Sequence, residues 1–423
     1  MASLNAGGLR VRGSLRAPGD KSISHRALIL SAIARGSSRI EHILESADIH
    51  STAEALRALG ATVPPLSPKM YVQGRDMHSP RNPLDCGNSG TTTRLLAGVV
   101  AGARLTATFI GDASLSKRPM RRIAEPLRAM GAQVELAPNG SLPMTVAGHK
   151  VIGIDYESSV ASAQVKSAIL LAAVLGRVRA RVHEPHLSRD HTERMLEVRG
   201  VDLHREGTTV EVAPAQNVLP ADVRVPADPS SAAFFVALAL LADAGELRLT
   251  DVCLNPTRTG FLNVLHRMGA RIEIADRREE GGEDVGTIVA RASRLHGVEL
   301  TEDEVPSLID ELPLFACVAT RAEGESLVQG AAELRVKESD RIATLVGNLN
   351  RLGATAEESP DGFRIVGTRS PLRGRAVSRG DHRIAMSFGI LGALTGNQIE
   401  VDDPGCAAVS YPEFWNDLRR VRQ

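Results

Sequence analysis

The chain has few aromatic side chains. Eight phenylalanines, three tyrosines and one tryptophan make up only 3% of its 423 residues. Proteins that stack bases on aromatic platforms need more, so single-strand nucleic-acid binding is excluded as a main role. Net charge is also missing. Lys plus Arg and Asp plus Glu each total 50, so no global field draws the protein to nucleic acid or to a membrane surface. The basic residues must act locally. Cysteine is scarce: Cys86, Cys253, Cys317 and Cys406 are scattered without a C-x-x-C pair. That fits a reduced, cytoplasmic protein rather than a disulfide framework. The longest apolar run, Ala232 to Ala242, is too short to span a bilayer. Met1 to Gly8 has no apolar secretory core. His183, His186 and His191 lie close together but match no zinc spacing. No metal site is expected.

What the chain does have is a repeated phrase. Leu56-Arg-Ala-Leu-Gly60-Ala is followed by Leu127-Arg-Ala-Met-Gly131-Ala, Leu196-Glu-Val-Arg-Gly200-Val, Leu265-His-Arg-Met-Gly269-Ala and Leu349-Asn-Arg-Leu-Gly353-Ala. The glycines are 71, 69, 69 and 84 residues apart, and Phe414 to Leu418 reads as a sixth, truncated copy. Each copy predicts an amphipathic helix that ends at a left-handed glycine and leads into a strand. Short β-like runs separate the helices: 105–110, 144–147, 209–213, 271–275 and 363–366. The architecture is therefore α/β or α+β, one supersecondary unit built several times. A proline-bearing change of composition at 215–229 splits the copies three and three, giving two pseudo-symmetric domains. The acidic stretch 277–286 reads as a loop between strands.

Several copies carry cations or hydroxyls where a helix should begin, and a helix N-terminus with fixed cations is an anion site. Lys21, Ser22 and Arg26 precede or open one apolar helix, but the Walker spacing fails and a P-loop kinase is disfavoured. Gly87-Asn88-Ser89-Gly90-Thr91 could close backbone N–H groups on an anion, with Gly90 admitting a ligand close to the main chain. Pro119 suits a first helical turn, which puts Lys117 and Arg118 at its mouth. Ser162-Ala163-Gln164 offers small groups and an amide to a polyhydroxyl ligand. If Lys337, Glu338 and Arg341 share a helix they face one way, and a carboxylate between two cations can move a proton beside a bound anion. Asp310 opens an apolar helix, and Asp381-His382-Arg383 opens another. Taken singly, each motif is equally an N-cap, a tight turn or a salt-bridged surface face.

In order, from Asp20-Lys-Ser-Ile-Ser-His-Arg26 to Ser410-Tyr-Pro412, the motifs resemble the EPSP synthase family of enolpyruvyl transferases. The resemblance implies two domains of three βαβαββ-like units around buried parallel helices, closing on substrate. It sets the domains at 17–226 and at 1–16 with 227–423, and hinge strands near 14–20 and 222–228. It implies transfer of the enolpyruvyl group of phosphoenolpyruvate to the 5-hydroxyl of shikimate 3-phosphate, with no cofactor. Lys21, Ser22, Arg26, Ser162, Ala163, Gln164, Arg189, Asp310 and Lys337 would hold shikimate 3-phosphate. Lys21, Asn88, Gly90, Arg118, Gln164, Arg341 and Arg383 would hold phosphoenolpyruvate. Asp310, Glu338 and Lys21 would be catalytic. It further implies that glyphosate competes at the phosphoenolpyruvate site. Three positions depart from the family pattern. Ala163 stands where many members have serine, Glu333 where many have asparagine, and Val409 where many have lysine. A monomer is expected, with no nucleic-acid or membrane partner. The sister enzyme acting on UDP-N-acetylglucosamine and a non-catalytic anion-binding module are the competing readings. Since no ligand cluster is visible in the sequence, activity should survive exhaustive EDTA treatment. Loss that a divalent ion restores would refute this.

Overall fold

The computed structural model describes residues 8–422. The reading that no targeting segment opens the chain falls mostly on 1–7, outside the described residues. Twelve α-helices lie among the described residues: α1 Lys21–Ile33, α2 Ala47–Ala58, α3 Gly90–Gly102, α4 Arg121–Ala129, α5 Ala163–Gly176, α6 His191–Glu197, α7 Pro229–Leu241, α8 Gly260–Arg267, α9 Leu312–Ala319, α10 Arg341–Arg351, α11 His382–Gly392 and α12 Phe414–Val421. They alternate in character. The odd-numbered helices are apolar and almost wholly buried. The even-numbered ones α2, α4, α8, α10 and α12 bury one face only.

The repeated phrase forms the ends of α2, α4, α6, α8 and α10. Gly60, Gly131, Gly200, Gly269 and Gly353 have φ of +103°, +96°, +76°, +90° and +94°, values that other residues adopt only under strain. In every copy the residue after the glycine donates its N–H to the carbonyl of the phrase's leucine. Ala61 bonds Leu56, Ala132 Leu127, Val201 Leu196, Ala270 Leu265 and Ala354 Leu349, each at 3.0 Å. This is the six-to-one bond of a Schellman stop, so the glycine and the leucine act as one device.

The sheets repeat as well. Strands 84–85, 106–110, 144–147 and 133–136 pair in that spatial order, parallel at the first join and antiparallel at the next two. Strands 154–157, 180–183, 209–212 and 203–206 do the same. So do 299–300, 325–328, 362–366 and 355–359. In these three the parallel partners flank a buried odd-numbered helix, a βαβ crossover. Two sheets exchange the parallel partner. Strand 10–15, just before α1, pairs with 244–253 after α7, while 223–224, just before α7, pairs with 36–41 after α1. The fourth strand of the 36–41 sheet shrinks to a single bridge, Thr62 to Gln73. The first phrase therefore does not lead into a full strand as the sequence pattern predicts.

The chain divides into two compact units. The first is Gly19–Pro226 with Glu279–Glu283, and the second is Met1–Pro18, Ala227–Arg278 and Asp284–Gln423. The acidic stretch 277–286 is not a loop. Its residues extend strands Arg271–Glu280 and Glu283–Arg291, which meet at Gly281–Gly282. Both glycines have positive φ, so a two-residue turn suffices and pairing continues up to it.

In the first unit α3 and α5 pack at backbone distance. A Cβ on Gly98 would lie 2.2 Å from the Ala168 carbonyl oxygen, and one on Gly102 would lie 2.4 Å from that of Ala172. Contacts advance in the same sense along both helices, so they are parallel and their N-termini emerge together. In the second unit the aromatics concentrate. Phe234 and Phe235 of α7 both meet Phe414, Phe235 also meets Tyr411, and Phe414 meets Tyr411 and Trp415, at centroid separations of 4.9–5.8 Å. Three of these pairs are edge-on and two are tilted, and such pairs contribute about 0.5–1.5 kcal/mol each beyond burial. They fasten the truncated sixth copy, α12, to the core.

A line of polar groups ties the first unit's helices together near their starts. His25 Nδ1 lies 2.7 Å from Thr52 Oγ1, Thr52 Oγ1 lies 2.7 Å from Thr92 Oγ1, and Thr92 donates to Ser89 Oγ. Burial pulls the His25 pKa down to about 3, with Lys21 and Arg26 adding to the effect and Asp48 opposing it. The unfolded chain binds this proton near pH 6.5. The stability from keeping His25 neutral is complete above that pH and is lost as pH falls toward 3, by up to about 1.4 kcal/mol per pH unit. His25→Asn should flatten the dependence of unfolding free energy on pH between about 6.5 and 4. Denaturant titrations giving the same slope for both proteins would show that another group controls acid lability.

Candidate functional site

The first unit gathers its candidate site residues at the N-termini of α1, α3 and α5. Asp20 caps α1 by accepting the Ile23 N–H at 2.7 Å, which sets Lys21 at the first helical position. Lys21 Nζ forms a close ion pair with the buried Asp48 on the first turn of α2. Arg26 lies one turn further in and is only 4% exposed. Its guanidinium donates to Thr192 Oγ1 at 2.6 Å, to the Ser22 carbonyl at 3.0 Å and to Ser167 Oγ at 2.9 Å. Burial lowers its pKa to about 10, against the pull of Glu193 and Asp20, so it stays charged at neutral pH. The sequence pattern suggests a solvated cap as one reading of this segment, and the burial of Arg26 removes that reading.

Ser89 caps α3 and Gly90 opens it. A Cβ on Gly90 would lie 3.1 Å from Arg94 Nη1 and 3.6 Å from Arg118 Nη1, so two guanidinium groups flank this glycine. Arg118 Nη2 donates to Asn88 Oδ1 at 2.6 Å, and Asn88 Nδ2 donates to Asp112 at 2.7 Å. Arg94 Nη1 donates to Gln164 Oε1 at 2.6 Å, and Gln164 Nε2 donates to Thr91 Oγ1 at 3.0 Å. Asn88, Gly90, Arg118 and Gln164 are thus drawn together. Ser162 is the N-cap of α5 and Ala163 its first residue, which leaves the Ala163 backbone rather than a hydroxyl at that point. Arg189 reaches to 3.5 Å from Ser22 Oγ.

The helix expected to begin at Pro119 begins later. Leu115–Lys117 form a short 3-10 turn, Met120 is the N-cap, and α4 starts at Arg121. The Met120 N–H, which as a cap group has no intrahelical partner, bonds the Gly140 carbonyl at 2.9 Å and ties this start to the loop at 140. Lys117 and Arg118 therefore sit on the turn before the helix mouth.

The second unit builds its cluster around Arg341, the first residue of α10 and only 1% exposed. Its Nε donates to Asp381 Oδ2 at 2.8 Å, its Nη2 to Glu338 Oε2 at 2.6 Å, and its Nη1 lies 3.5 Å from Asp310 Oδ1. Burial alone would lower the Arg341 pKa, but Asp381, Glu338 and Asp310 more than reverse that and raise it. Burial pushes the Asp381 carboxyl up, and Arg341 more than offsets it, so the pKa is lowered. Arg383, near the start of α11, donates to the Asp310 carbonyl at 3.2 Å and lies 3.8 Å from the Asp310 carboxylate. Burial lowers the Lys337 pKa, with Asp310 and Glu333 opposing.

Two expectations about these elements are corrected. Lys337, Glu338 and Arg341 do not share a helix. Asp340 caps α10 by accepting the Ala343 N–H at 3.0 Å, and Lys337 is extended after the 3-10 turn Ala332–Val336. Glu338 meets Arg341 across a bend instead of along a helical face. Asp310 does not cap α9 either, because Glu311 occupies the N-cap position. The Asp310 side chain is turned toward Arg341 and Arg383. Val409 ends the 3-10 turn Pro404–Val409 and brings no cation.

Sequence reasoning did not assign Arg94, Asp48, Asp112 or Asp381. The spacing from Gly90 to Arg94 is one helical turn, and Asp48 is the acid of a first turn. Both signals were present but not specific. Among the described residues no group of three or more His, Cys, Asp or Glu is placed to hold a metal ion, and no helix is long and apolar enough to cross a membrane.

The sequence model of the EPSP synthase (3-phosphoshikimate 1-carboxyvinyltransferase) family matches residues 6–418. The chain is similar to proteins named 3-phosphoshikimate 1-carboxyvinyltransferase from Sulfurihydrogenibium sp. (strain YO3AOP1), at 48% identity over 97% of each chain, and from Bacillus subtilis (strain 168), at 43% identity over 97% of each. Its fold matches the solved EPSP synthase of Acinetobacter baumannii with a TM-score of 0.87 and 39% identity, covering 98% of this chain and 96% of that one.

Gly90 opens α3 with ordinary backbone, so Gly90→Ala should leave the Tm unchanged or slightly higher, given the helix preference of alanine. Its methyl group would press on Arg94 and touch Arg118. The expected outcome is weaker inhibition by glyphosate and a smaller loss in affinity for phosphoenolpyruvate, the shorter molecule. Equal glyphosate inhibition constants for both forms would place Gly90 away from the ligand.

Proposed function

This chain belongs to the EPSP synthase family, and from that premise we propose how its own residues carry the reaction. The enzyme transfers the enolpyruvyl group of phosphoenolpyruvate to the 5-hydroxyl of shikimate 3-phosphate and releases inorganic phosphate, a step of the shikimate pathway to aromatic amino acids. In chemical terms the hydroxyl attacks C2 of phosphoenolpyruvate while C3 gains a proton. The tetrahedral intermediate then loses phosphate.

The first unit supplies most of the shikimate 3-phosphate contacts: Lys21, Ser22, Arg26, Ser162, the Ala163 backbone, Gln164 and Arg189. Asn88, Gly90 and Arg118 serve phosphoenolpyruvate from the same unit, as do Lys21 and Gln164. The second unit supplies Arg341 and Arg383 for phosphoenolpyruvate, Lys337 for shikimate 3-phosphate, and the acid–base pair. Asp310 takes the proton of the attacking hydroxyl, and Glu338 trades the proton at C3. The cations stabilise charge that builds up in the intermediate. One observation carries this division of roles. Asp310 and Glu338 face different terminal nitrogens of one buried guanidinium. A phosphoenolpyruvate anchored by Arg341 then has a carboxylate on either hand, one for each proton. Mere anion binding needs one carboxylate at most to hold the guanidinium, a part Asp381 already plays, and further carboxylates beside the ligand would repel it.

A monomeric cytoplasmic enzyme without nucleic-acid or membrane partners fits the zero net charge and the scattered cysteines. The test is a phosphate-release assay on phosphoenolpyruvate with each acceptor. Release is expected with shikimate 3-phosphate and not with UDP-N-acetylglucosamine. The opposite pattern would mark the sister enzyme, and no release with either would mark a binding module. Asp310→Asn and Glu338→Gln should each cut kcat by roughly 10²–10⁴-fold, the usual worth of a general acid or base. Calorimetric affinity for shikimate 3-phosphate should hold in Glu338→Gln. If kcat survives both changes, the proton roles belong elsewhere.

A further inference from the structure

One buried carboxylate of the first unit touches the substrate-binding segments without belonging to them. Glu184 follows strand Ala180–His183 and is 1% exposed. Its Oε1 accepts the Ser162 N–H at 2.8 Å and the Ser188 hydroxyl at 2.7 Å. Its Oε2 is 2.8 Å from the same hydroxyl and 2.7 Å from Lys166 Nζ. These donors come from two places far apart in sequence. Ser162 and Lys166 belong to the cap and first turn of α5, while Ser188 lies in the loop before α6. Ser162 begins the Ser162-Ala163-Gln164 turn, and Ser188 is next to Arg189. One carboxylate therefore spans two ligand-binding segments.

The surroundings show that this is an organised layer. Lys166 also pairs with Glu193 Oε1 at 2.8 Å, with both side chains buried. Burial pulls the Lys166 pKa down, but the carboxylates of Glu193 and Glu184, with their hydrogen bonds, outweigh it and raise the pKa. The ammonium is charged, so Glu184 is needed as an anion. Beside it, Ser167 and Thr192 share a 2.6 Å hydrogen bond and both receive Arg26. A buried ion cluster is a weak device for stability, because desolvation costs consume most of the Coulombic gain and a packed apolar core does as well. Its geometry is worth more as an orienting device, since each partner fixes the direction of the next.

We infer that Glu184 is a positioning residue for shikimate 3-phosphate, fixing the Ser162–Gln164 turn and the Ser188–Arg189 loop at one spacing through hydrogen bonds to the Ser162 N–H and the Ser188 hydroxyl. The inference rests on the reading of those two segments as shikimate 3-phosphate contacts. Glu184 itself touches no reacting atom. Of the residues in the Ser162–Gln164 turn only Gln164 also serves phosphoenolpyruvate, and its side chain is held separately by Arg94 and Thr91. Asn88, Gly90 and Arg118 lie outside both bridged segments, so the effect of losing the bridge falls mainly on shikimate 3-phosphate.

The experiment is steady-state kinetics with each substrate varied in turn, on Glu184→Gln and Ser188→Ala. Glu184→Gln keeps the size of the side chain but removes its charge and turns an N–H donor toward Lys166 or Ser188. It should raise KM for shikimate 3-phosphate by about tenfold, equivalent to about 1.4 kcal/mol, with KM for phosphoenolpyruvate moving less than about twofold. Ser188→Ala removes one hydroxyl and leaves the ion cluster whole, so it tests the bridge even if the first variant folds poorly. It should raise the same KM by roughly three- to fivefold at an unchanged Tm. Glu184→Asp, which keeps the charge on a shorter arm, should fall between wild type and Glu184→Gln. A purely structural residue would lower Tm or the active fraction and leave both KM values in place. That result, or parallel rises for both substrates, overturns the inference. Arg189→Ala is the control on the site. If it too leaves KM for shikimate 3-phosphate unmoved, the site assignment has failed along with the bridge. If it raises that KM while the bridge variants do not, only the bridge has failed.

Discussion

Much of this molecule follows from packing buried helices side by side in the same direction. The approach of α3 to α5, with glycines meeting alanine backbone, leaves no freedom to reverse one of them. Parallel neighbours set their N-terminal partial charges next to one another, which is an electrostatic cost in the absence of something negative nearby. The unit meets part of that cost internally, through Asp20 and the hydroxyls of Ser89 and Ser162 as caps. The remainder makes the helix starts receptive to anionic ligands. The field that favours anions here is thus a property of the fold before any lysine or arginine is added.

The added cations need restraint of their own. A guanidinium without partners in a buried place would be costly to charge and free to tilt. Arg341 is held by carboxylates, Arg26 by neutral oxygens, and Arg118 by an asparagine that is itself held by Asp112. The three solutions differ in strength. Carboxylates bond the Arg341 guanidinium directly, whereas Arg26 is bonded by hydroxyls and a carbonyl while Glu193 and Asp20 act on it from farther off.

What could be read from the sequence was whatever depends on local chemistry. The five glycine stops were legible because a single bond between a leucine carbonyl and the residue after the glycine encodes each of them. The alternation of apolar and amphipathic helices was legible through periodicity. The clusters at the helix starts were legible as motifs, and the family match agrees with them. Start points were less visible. Pro119 pointed to a helix that begins later, at Arg121, and Asp310 pointed to a cap that it does not supply, since its side chain turns to Arg341 and Arg383 instead. Contacts across long separations, such as Arg94 with Gln164 or Glu184 with Ser162, leave no trace in spacing at all. The exchange of strands 10–15 and 223–224 between sheets was hidden for the same reason.

The uneven placement of aromatic residues has an optical consequence. The single tryptophan, Trp415, stacks edge-on with Phe414 and lies against Gly389 of α11, all within the second unit. Emission excited selectively from tryptophan reports the state of that unit alone. Melting of the first unit, whose ring chromophores are Tyr71, Tyr156 and Phe109, would be nearly dark in the same record. Two transitions seen by circular dichroism and one seen by tryptophan emission would then describe a protein whose halves come apart in sequence, with the wavelength identifying which half was lost.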